Sequence, residues 1–114
     1  MGSVAGQRAR SVARGGRTEA AAFAAAAALL RALSHPARLR IVSLLSGGEL
    51  CVKRIEEALG IPQPAVSQHL SRLRYAGLIE SERRGHLVCY RLVSGRASAV
   101  LAAVLGAGGH AKGA

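Results

Sequence analysis

With 114 residues, half of them apolar, the chain has room for one domain with a real core and short tails. Its formal net charge of +10, from 16 Lys and Arg against 6 Asp and Glu, favours a polyanionic partner, because each neutralised phosphate releases counterions. Two cysteines are too few for a secreted disulfide scaffold, and no apolar run reaches the ~20 residues of a membrane span, so a cytoplasmic location with no membrane partner is expected.

Residues 1–18 are Gly, Arg, Ser and Ala without periodicity and are expected to form a disordered basic tail carrying Arg8, Arg10, Arg14 and Arg17. Removing those four charges leaves +6 on the rest, so the domain is basic without its tail. Basic residues followed by the Ala-rich run 20–30 imitate a targeting segment; Glu19 and Arg31 bracket the run, however, and no small-residue cleavage site separates it from the next helix. Residues 19–33 form a first helix with Phe23, Ala27 and Leu30 on one face. Ser34-His35-Pro36 marks a boundary, since Pro suits the first helical turn and Ser or His can cap. A second helix over 36–46 aligns Leu39, Val42 and Leu45 and stops at Gly47-Gly48. Glu49-Leu50-Cys51-Val52 is too short to assign by itself. Ile55, Ala58 and Leu59 come next at helical spacing, closed by Gly60. A fourth helix runs over 64–76 on the stripe Val66, Leu70 and Leu73, with Gly77 ending it. Two strand-like runs, 78–83 and 87–93, meet at Arg84-Gly85-His86. A last helix covers 95–105, and the Gly-rich residues 106–114 should form a flexible tail. Residues 19–105 thus make one mostly α domain of about five helices and two to three short strands, with a small β-hairpin wing: a winged helix-turn-helix.

The order helix, short turn, helix, basic hairpin carries the functional signal. A helix that reads DNA needs an apolar stripe holding it to its domain and an opposite face of small polar groups that can enter the major groove. Turning 100° per residue from Val66, Leu70 and Leu73 puts Gln68, Ser71, Arg72 and Tyr75 on the far side, with Ser67 and His69 on the flanks. Gln68 can pair with adenine, Ser67 can reach a base or a phosphate, and Arg72 can reach a phosphate or guanine. The plain alternative is a solvated face, with His69 packed beside the apolar stripe. Arg83, Arg84 and His86 give the hairpin a positive tip that can lie against phosphates or the minor groove; a solvated turn is the alternative there.

At these residues the sequence resembles the ArsR/SmtB family of bacterial regulators. The matching segments are Leu33-Ser34-His35-Pro36-Ala37-Arg38-Leu39-Arg40-Ile41, Gly48-Glu49-Leu50-Cys51-Val52, Gln63-Pro64-Ala65-Val66-Ser67-Gln68-His69-Leu70-Ser71-Arg72-Leu73-Arg74, Gly77-Leu78-Ile79 and Tyr90-Arg91-Leu92. The resemblance spans roughly residues 25–105 and is most specific from Gln63 to Leu73. It implies a homodimer joined through the first and last helices, repressing an operon at an imperfect inverted repeat in double-stranded DNA until an inducer relieves it. The chain departs from the arsenic-type pattern, which has a second cysteine two positions beyond the first, because Val52 and Lys53 come after Cys51. It departs from the zinc-type pattern too, with Arg96, Ala97, Ser98 and Ala99 where the last helix would carry Asp and His, and only His110 beyond. Neither family template therefore assembles a metal site.

Winged helices generally add a short strand before the third helix to the wing sheet. If 50–52 is that strand, Leu50 and Val52 face the core and Cys51 points away. Val88, Tyr90 and Leu92 would face inward, putting Cys89 on the opposite face with Arg91. Cys51 and Cys89 would share one face, close enough for a disulfide or a shared thiophilic metal or metalloid, with Lys53, Arg54 and Arg91 favouring thiolates. The alternative is two unrelated thiols.

The expected function is sequence-specific repression by a homodimer, with Gln63, Ser67, Gln68, Arg72 and His69 in the major groove and Arg83, Arg84 and His86 in the wing. Leu29, Leu30, Leu33, Val100, Leu101 and Val104 are expected at the dimer interface. A non-specific architectural nucleic-acid-binding protein would need only the charge, and would bind any sequence with a steep salt slope. A protein-interaction module is disfavoured by the intact polar helix face. An enzyme is least expected, as the sequence shows no phosphate-binding glycine motif, no recognisable carboxylate pair and no thiol–base arrangement.

Overall fold

The computed structural model describes the backbone of residues 16–113 and the side chains of residues 18–106. The elements are α1 (Gly16–Leu33), α2 (Pro36–Leu45), β1 (Leu50–Cys51), α3 (Val52–Leu59), α4 (Gln63–Tyr75), β2 (Ile79–Arg84), β3 (Leu87–Leu92) and α5 (Arg96–Gly113). The strands form one antiparallel sheet in the order β1-β3-β2. Among the described residues no single helix is long and apolar enough to cross a membrane.

Local chemistry sets the boundaries. The His35 backbone is extended, its Nδ1 accepts from the Ala37 amide at 3.0 Å, and Pro36 is the first helical residue of α2. The two arginines of the same segment cap other helices. Arg38 donates to the carbonyls of Arg31 and Ala32 at the end of α1, and Arg40 donates to Ala58 O (2.8 Å) and Leu59 O (3.4 Å) at the end of α3. Cations there satisfy orphan carbonyls and oppose the negative pole of the helix. Helix α4 ends in a Schellman motif: Leu78 N donates to Leu73 O (3.0 Å) and Gly77 N to Arg74 O (2.9 Å), with Gly77 at φ 77°. The wing loop is Gly85-His86, and its positive φ falls on Gly85 alone (67°), where a type II′ turn places it.

The core is a single cluster in which Ile41, Val42, Ile55, Val66, Leu70, Leu73 and Ile79 are almost completely buried, and no buried polar side chain among the described residues is left without a partner. The stripe of α4 is the one expected. In α2 the buried positions are Ala37, Ile41, Val42 and Leu45, while Leu39 is only partly covered. In α3, Ile55 and Leu59 are buried and Ala58 is exposed. In α1 the difference is larger: Leu29, Ala32 and Leu33 face the core, whereas Phe23 and Leu30 are 68% and 55% exposed. An Ala-rich helix fits the core on more than one face, and its α2 contacts choose which.

Beyond one-residue shifts at several helix and strand ends, some expected boundaries change the elements themselves. Val52 opens α3 instead of extending β1, which leaves a two-residue strand. Helix α1 begins at Gly16, inside the segment expected as tail; Arg8, Arg10 and Arg14 lie outside the described residues, as does the side chain of Arg17. Past the expected end of the last helix, Gly106 breaks it (φ 77°, ψ 158°) and helical backbone resumes as far as Gly113.

Candidate nucleic-acid interface

Helix α4 is held by its buried stripe, so its other face stays in solvent. Gln63, Ser67, Gln68, Ser71, Arg72 and Tyr75 are exposed, and the last five line one shallow groove. Gln63 Nε2 donates to Ser67 Oγ at 3.3 Å, one turn on. Tyr75 is 97% exposed, at the end of the row.

His69 does not join that row. Its ring sits 4.3 Å from that of His35, and its Nδ1 accepts from Arg38 Nη1 at 3.2 Å, which puts its own proton on Nε2. Desolvation, then His35, Arg38 and Arg72, hold its pKa below the ordinary 6.5, so the ring is neutral near pH 7. Arg38 is likewise pushed down, by burial first and then by Arg72.

Sheet register divides the wing cations. Residues paired across an antiparallel ladder share a face, and neighbours along a strand alternate. Arg83 pairs with Val88 and shares its face with Ser81 and Ile79; Arg74 of α4 donates to Ser81 Oγ at 3.2 Å on this side. Arg84 pairs with Leu87 on the other face, where Glu82 pairs with Cys89 and Glu80 with Arg91. Arg84 grips Glu49 with Nε at 2.7 Å and Nη2 at 3.2 Å, and reaches Glu82 at 3.3 Å. Arg91 meets Glu80 at 3.1 Å, Glu82 at 3.2 Å and Glu49 at 3.7 Å. The hydrogen bonds from Arg84 hold the Glu49 carboxyl below the usual range, and Glu49 in turn raises Arg84. Of the expected wing residues, Arg83 and His86 are exposed and without an ion pair among the described residues, while Arg84 is tied down on the far face.

Cys51 and Cys89 are register partners, joined by a disulfide that closes 38 residues of chain. The expected sharing of a face is seen, but Cys89 is 1% exposed and so not open to solvent: its neighbours on that face are Glu82 and Arg91. Among the described residues no cysteine is free, and no group of three or more His, Cys, Asp or Glu could hold a metal.

The six residues expected at a dimer interface divide in two. Leu29, Leu33 and Leu101 are spent on the protomer's own core, and Val100 is partly covered. Leu30 and Val104 are 55% and 69% exposed, and Phe23 and Leu105 are exposed too. Leu30 and Val100 line an apolar groove of about 390 Å³ with Leu29 between α1 and α5. Sequence reasoning also left Ser71 and Tyr75 out of the site, although their spacing from Gln68 on α4 marked their face. Arg31 and Arg38 carried no such signal, since only packing brings α1 and α2 beside α4.

Comparison with known proteins gives this geometry its relatives. The sequence model described as "Bacterial regulatory protein, arsR family" matches residues 35–81. The HTH-type transcriptional repressor SmtB of Mycobacterium tuberculosis H37Rv is 48% identical over 85 residues, 74% of this chain and 63% of SmtB, so the chain matches under two thirds of that relative's length. The structure of the transcriptional repressor BigR from Xylella fastidiosa superposes with a TM-score of 0.69 at 38% identity, covering 78% of this chain and 90% of BigR. The homodimeric winged helix-turn-helix DNA-binding domain Mb0332 from Mycobacterium bovis superposes with a TM-score of 0.68 at 32% identity, covering 75% of this chain and 80% of that one. With a buried α4 stripe, an exposed polar α4 face and a three-stranded wing on a fold shared with such proteins, the chain belongs to the arsR family of winged helix-turn-helix, DNA-binding transcription regulators.

Proposed function

We propose that the chain is a homodimeric, sequence-specific repressor that reads an imperfect inverted repeat in double-stranded DNA and loosens its hold when Cys51 and Cys89 are oxidised. The observation that carries this reading is the exposed row Gln63, Ser67, Gln68 and Arg72, held rigidly by the buried Val66, Leu70 and Leu73. Gln68 supplies base-edge contacts, Ser67 and Arg72 base or phosphate contacts, and Arg83 and His86 on the wing the flanking backbone. His69 acts behind the row, through Arg38. A second copy covers Phe23, Leu30, Val104 and Leu105, since a monomer gains nothing by exposing four large apolar side chains on two adjoining helices. The tail arginines add affinity for any sequence.

Oxidation would act through the wing. β1 is only two residues long, and without the Cys51–Cys89 bond it would have no covalent tie to β3. Hydrogen peroxide takes two hydrogens from the two thiols, giving the disulfide and two waters, and the new bond pins β1 beside β3. Glu49, next in sequence to β1, is then fixed where its carboxylate neutralises Arg84, which the β2–β3 register holds on the far face of the wing. Cytosolic disulfides are usually transient, which suits a signal better than a staple.

The test is binding of reduced and peroxide-oxidised protein to DNA from its own upstream region and to random DNA, each over a salt series. A preference for its own DNA of about 10³-fold or more, reduced on oxidation, is the expected result. A preference that oxidation leaves unchanged removes the thiol switch alone. Equal affinity for every sequence at every salt concentration removes the sequence-specific reading and leaves an architectural one.

A further inference from the structure

Where α1, α2 and α4 meet there is an open cleft of about 420 Å³ lined by Arg31, Arg38, Arg72 and Tyr75, with three alanines between them. No acidic residue lines it, and the ion pairs of the described residues lie elsewhere: Glu49, Glu80 and Glu82 on the wing face, Glu57 with Arg54 on α3. Arg38 is fixed by three contacts, to the carbonyls of Arg31 and Ala32 and to His69 Nδ1. A guanidinium has five N–H groups, so two remain unspent. Burial first, and then the positive charge of Arg72, disfavour the charged form of Arg38. Cations gathered at a concave surface, with small residues leaving room between them and no acid to compensate, are an arrangement completed by an anion.

We propose that this cleft receives a phosphate of the DNA backbone, held by Arg31 and Arg72 against the fixed guanidinium of Arg38. The proposal rests on the DNA-binding reading and adds to it a third anchoring point, distinct from the polar row of α4 and from the wing. Backbone phosphate fits better than a small soluble phosphate for two reasons. The cleft is open, and it adjoins the groove along α4, Arg72 and Tyr75 lining both. A strand bordering the major groove that α4 enters would pass from one to the other. Arginine is the side chain suited to the task, because its fork matches phosphate oxygens in pairs. His69 is a positioning residue here: it touches no DNA in this arrangement and keeps Arg38 aimed.

Arg31 is exposed and donates no side-chain hydrogen bond among those described, so Arg31→Ala leaves the fold intact, as circular dichroism and a melting curve would verify. The comparison is Arg54→Ala, which removes the same charge from a solvent-exposed position on α3. Affinities of wild type and both variants are measured on preferred and random DNA over a salt series. Arg31→Ala should weaken both DNAs alike, by roughly five- to tenfold, and flatten the salt slope by about one per bound protomer. Arg54→Ala should leave the slope unchanged. Equal effects of the two substitutions, or an Arg31→Ala protein that binds like wild type, overturns the cleft while the DNA-binding reading stands. A wild-type protein that binds no DNA overturns both.

Discussion

Reducing the Cys51–Cys89 bond should cost the domain about 4 kcal/mol. The bond closes 38 residues, and the loop-closure entropy that such a link removes from the unfolded chain is worth roughly 13 cal/mol/K, or about 4 kcal/mol at 25 °C. The folded state offsets little of this, because Cys51 and Cys89 are already register partners across a strand pair. Against a total of ~5–15 kcal/mol for a domain, the loss is large, and with a urea dependence of ~1–2 kcal/mol/M it moves the midpoint by about 2–4 M. Urea denaturation monitored by circular dichroism on one preparation, oxidised and then reduced with a phosphine, gives the number directly. Protein concentration must be equal in both, since a dimer's midpoint depends on it. Thiol counting should find two per chain after reduction. Local detail should accompany the global change: amides of Leu50 and Cys51 exchange faster on reduction, while those of Leu70 and Leu73 on α4 track global unfolding. Coincident urea curves, with both thiols counted as free, would refute the reasoning and remove any energetic basis for a switch.

The other predictions concern separate parts of the molecule. Gln68→Ala should leave the melting curve unchanged and cost roughly 1–3 kcal/mol of DNA affinity at one base position, read by binding to a set of single-base operator variants; a uniform loss across the set would contradict base readout. Glu49→Gln should release Arg84 and raise the oxidised protein's DNA affinity more than Glu57→Gln does, although both remove one negative charge; equal gains would mean charge alone is felt. Because the folded state holds the His69 pKa below its unfolded value near 6.5, the unfolded chain binds more protons. The His69 contribution is therefore full above pH 6.5 and is lost as pH falls through the folded value. Urea melts between pH 7.5 and 5 should show that decline, and His69→Gln should flatten it, in a range where Glu49 stays ionised. Leu70→Ala should cost about 2–5 kcal/mol, since Leu70 is 2% exposed and its removal leaves a cavity under α4.

How far the sequence could be read depended on whether the information was local. Val66, Leu70 and Leu73 lie on one helical stripe, so the buried face of α4 and its opposite face, Gln68, Ser71, Arg72 and Tyr75, can be read from periodicity alone. The cap at His35, the stop at Gly77 and the turn at Gly85 are equally local, each depending on a few neighbouring residues and one backbone conformation. Even the sharing of a sheet face by Cys51 and Cys89 needs only alternation along two strands, once a β1 strand is granted.

What required the tertiary structure is what depends on register or on the meeting of distant elements. Arg83 and Arg84 are adjacent in sequence and equally basic; the pairing of β2 with β3 puts them on opposite faces, and only then does Glu49 come within reach of Arg84. Cys89 is buried because of what shares its sheet face, not because of its own strand pattern. Phe23, Ala27 and Leu30 share one face by helical period, yet an Ala-rich helix has several usable faces, and α2 and α4 select the one with Leu29 and Leu33. The cleft of Arg31, Arg38 and Arg72 has no linear trace at all: three cations from three helices become one site only when their backbones pack. Helical period and turn chemistry are properties of a few consecutive residues, so the sequence determines the elements and the face α4 shows to solvent; pairing, burial and charge clustering are properties of pairs far apart in the chain, and only the folded chain decides them.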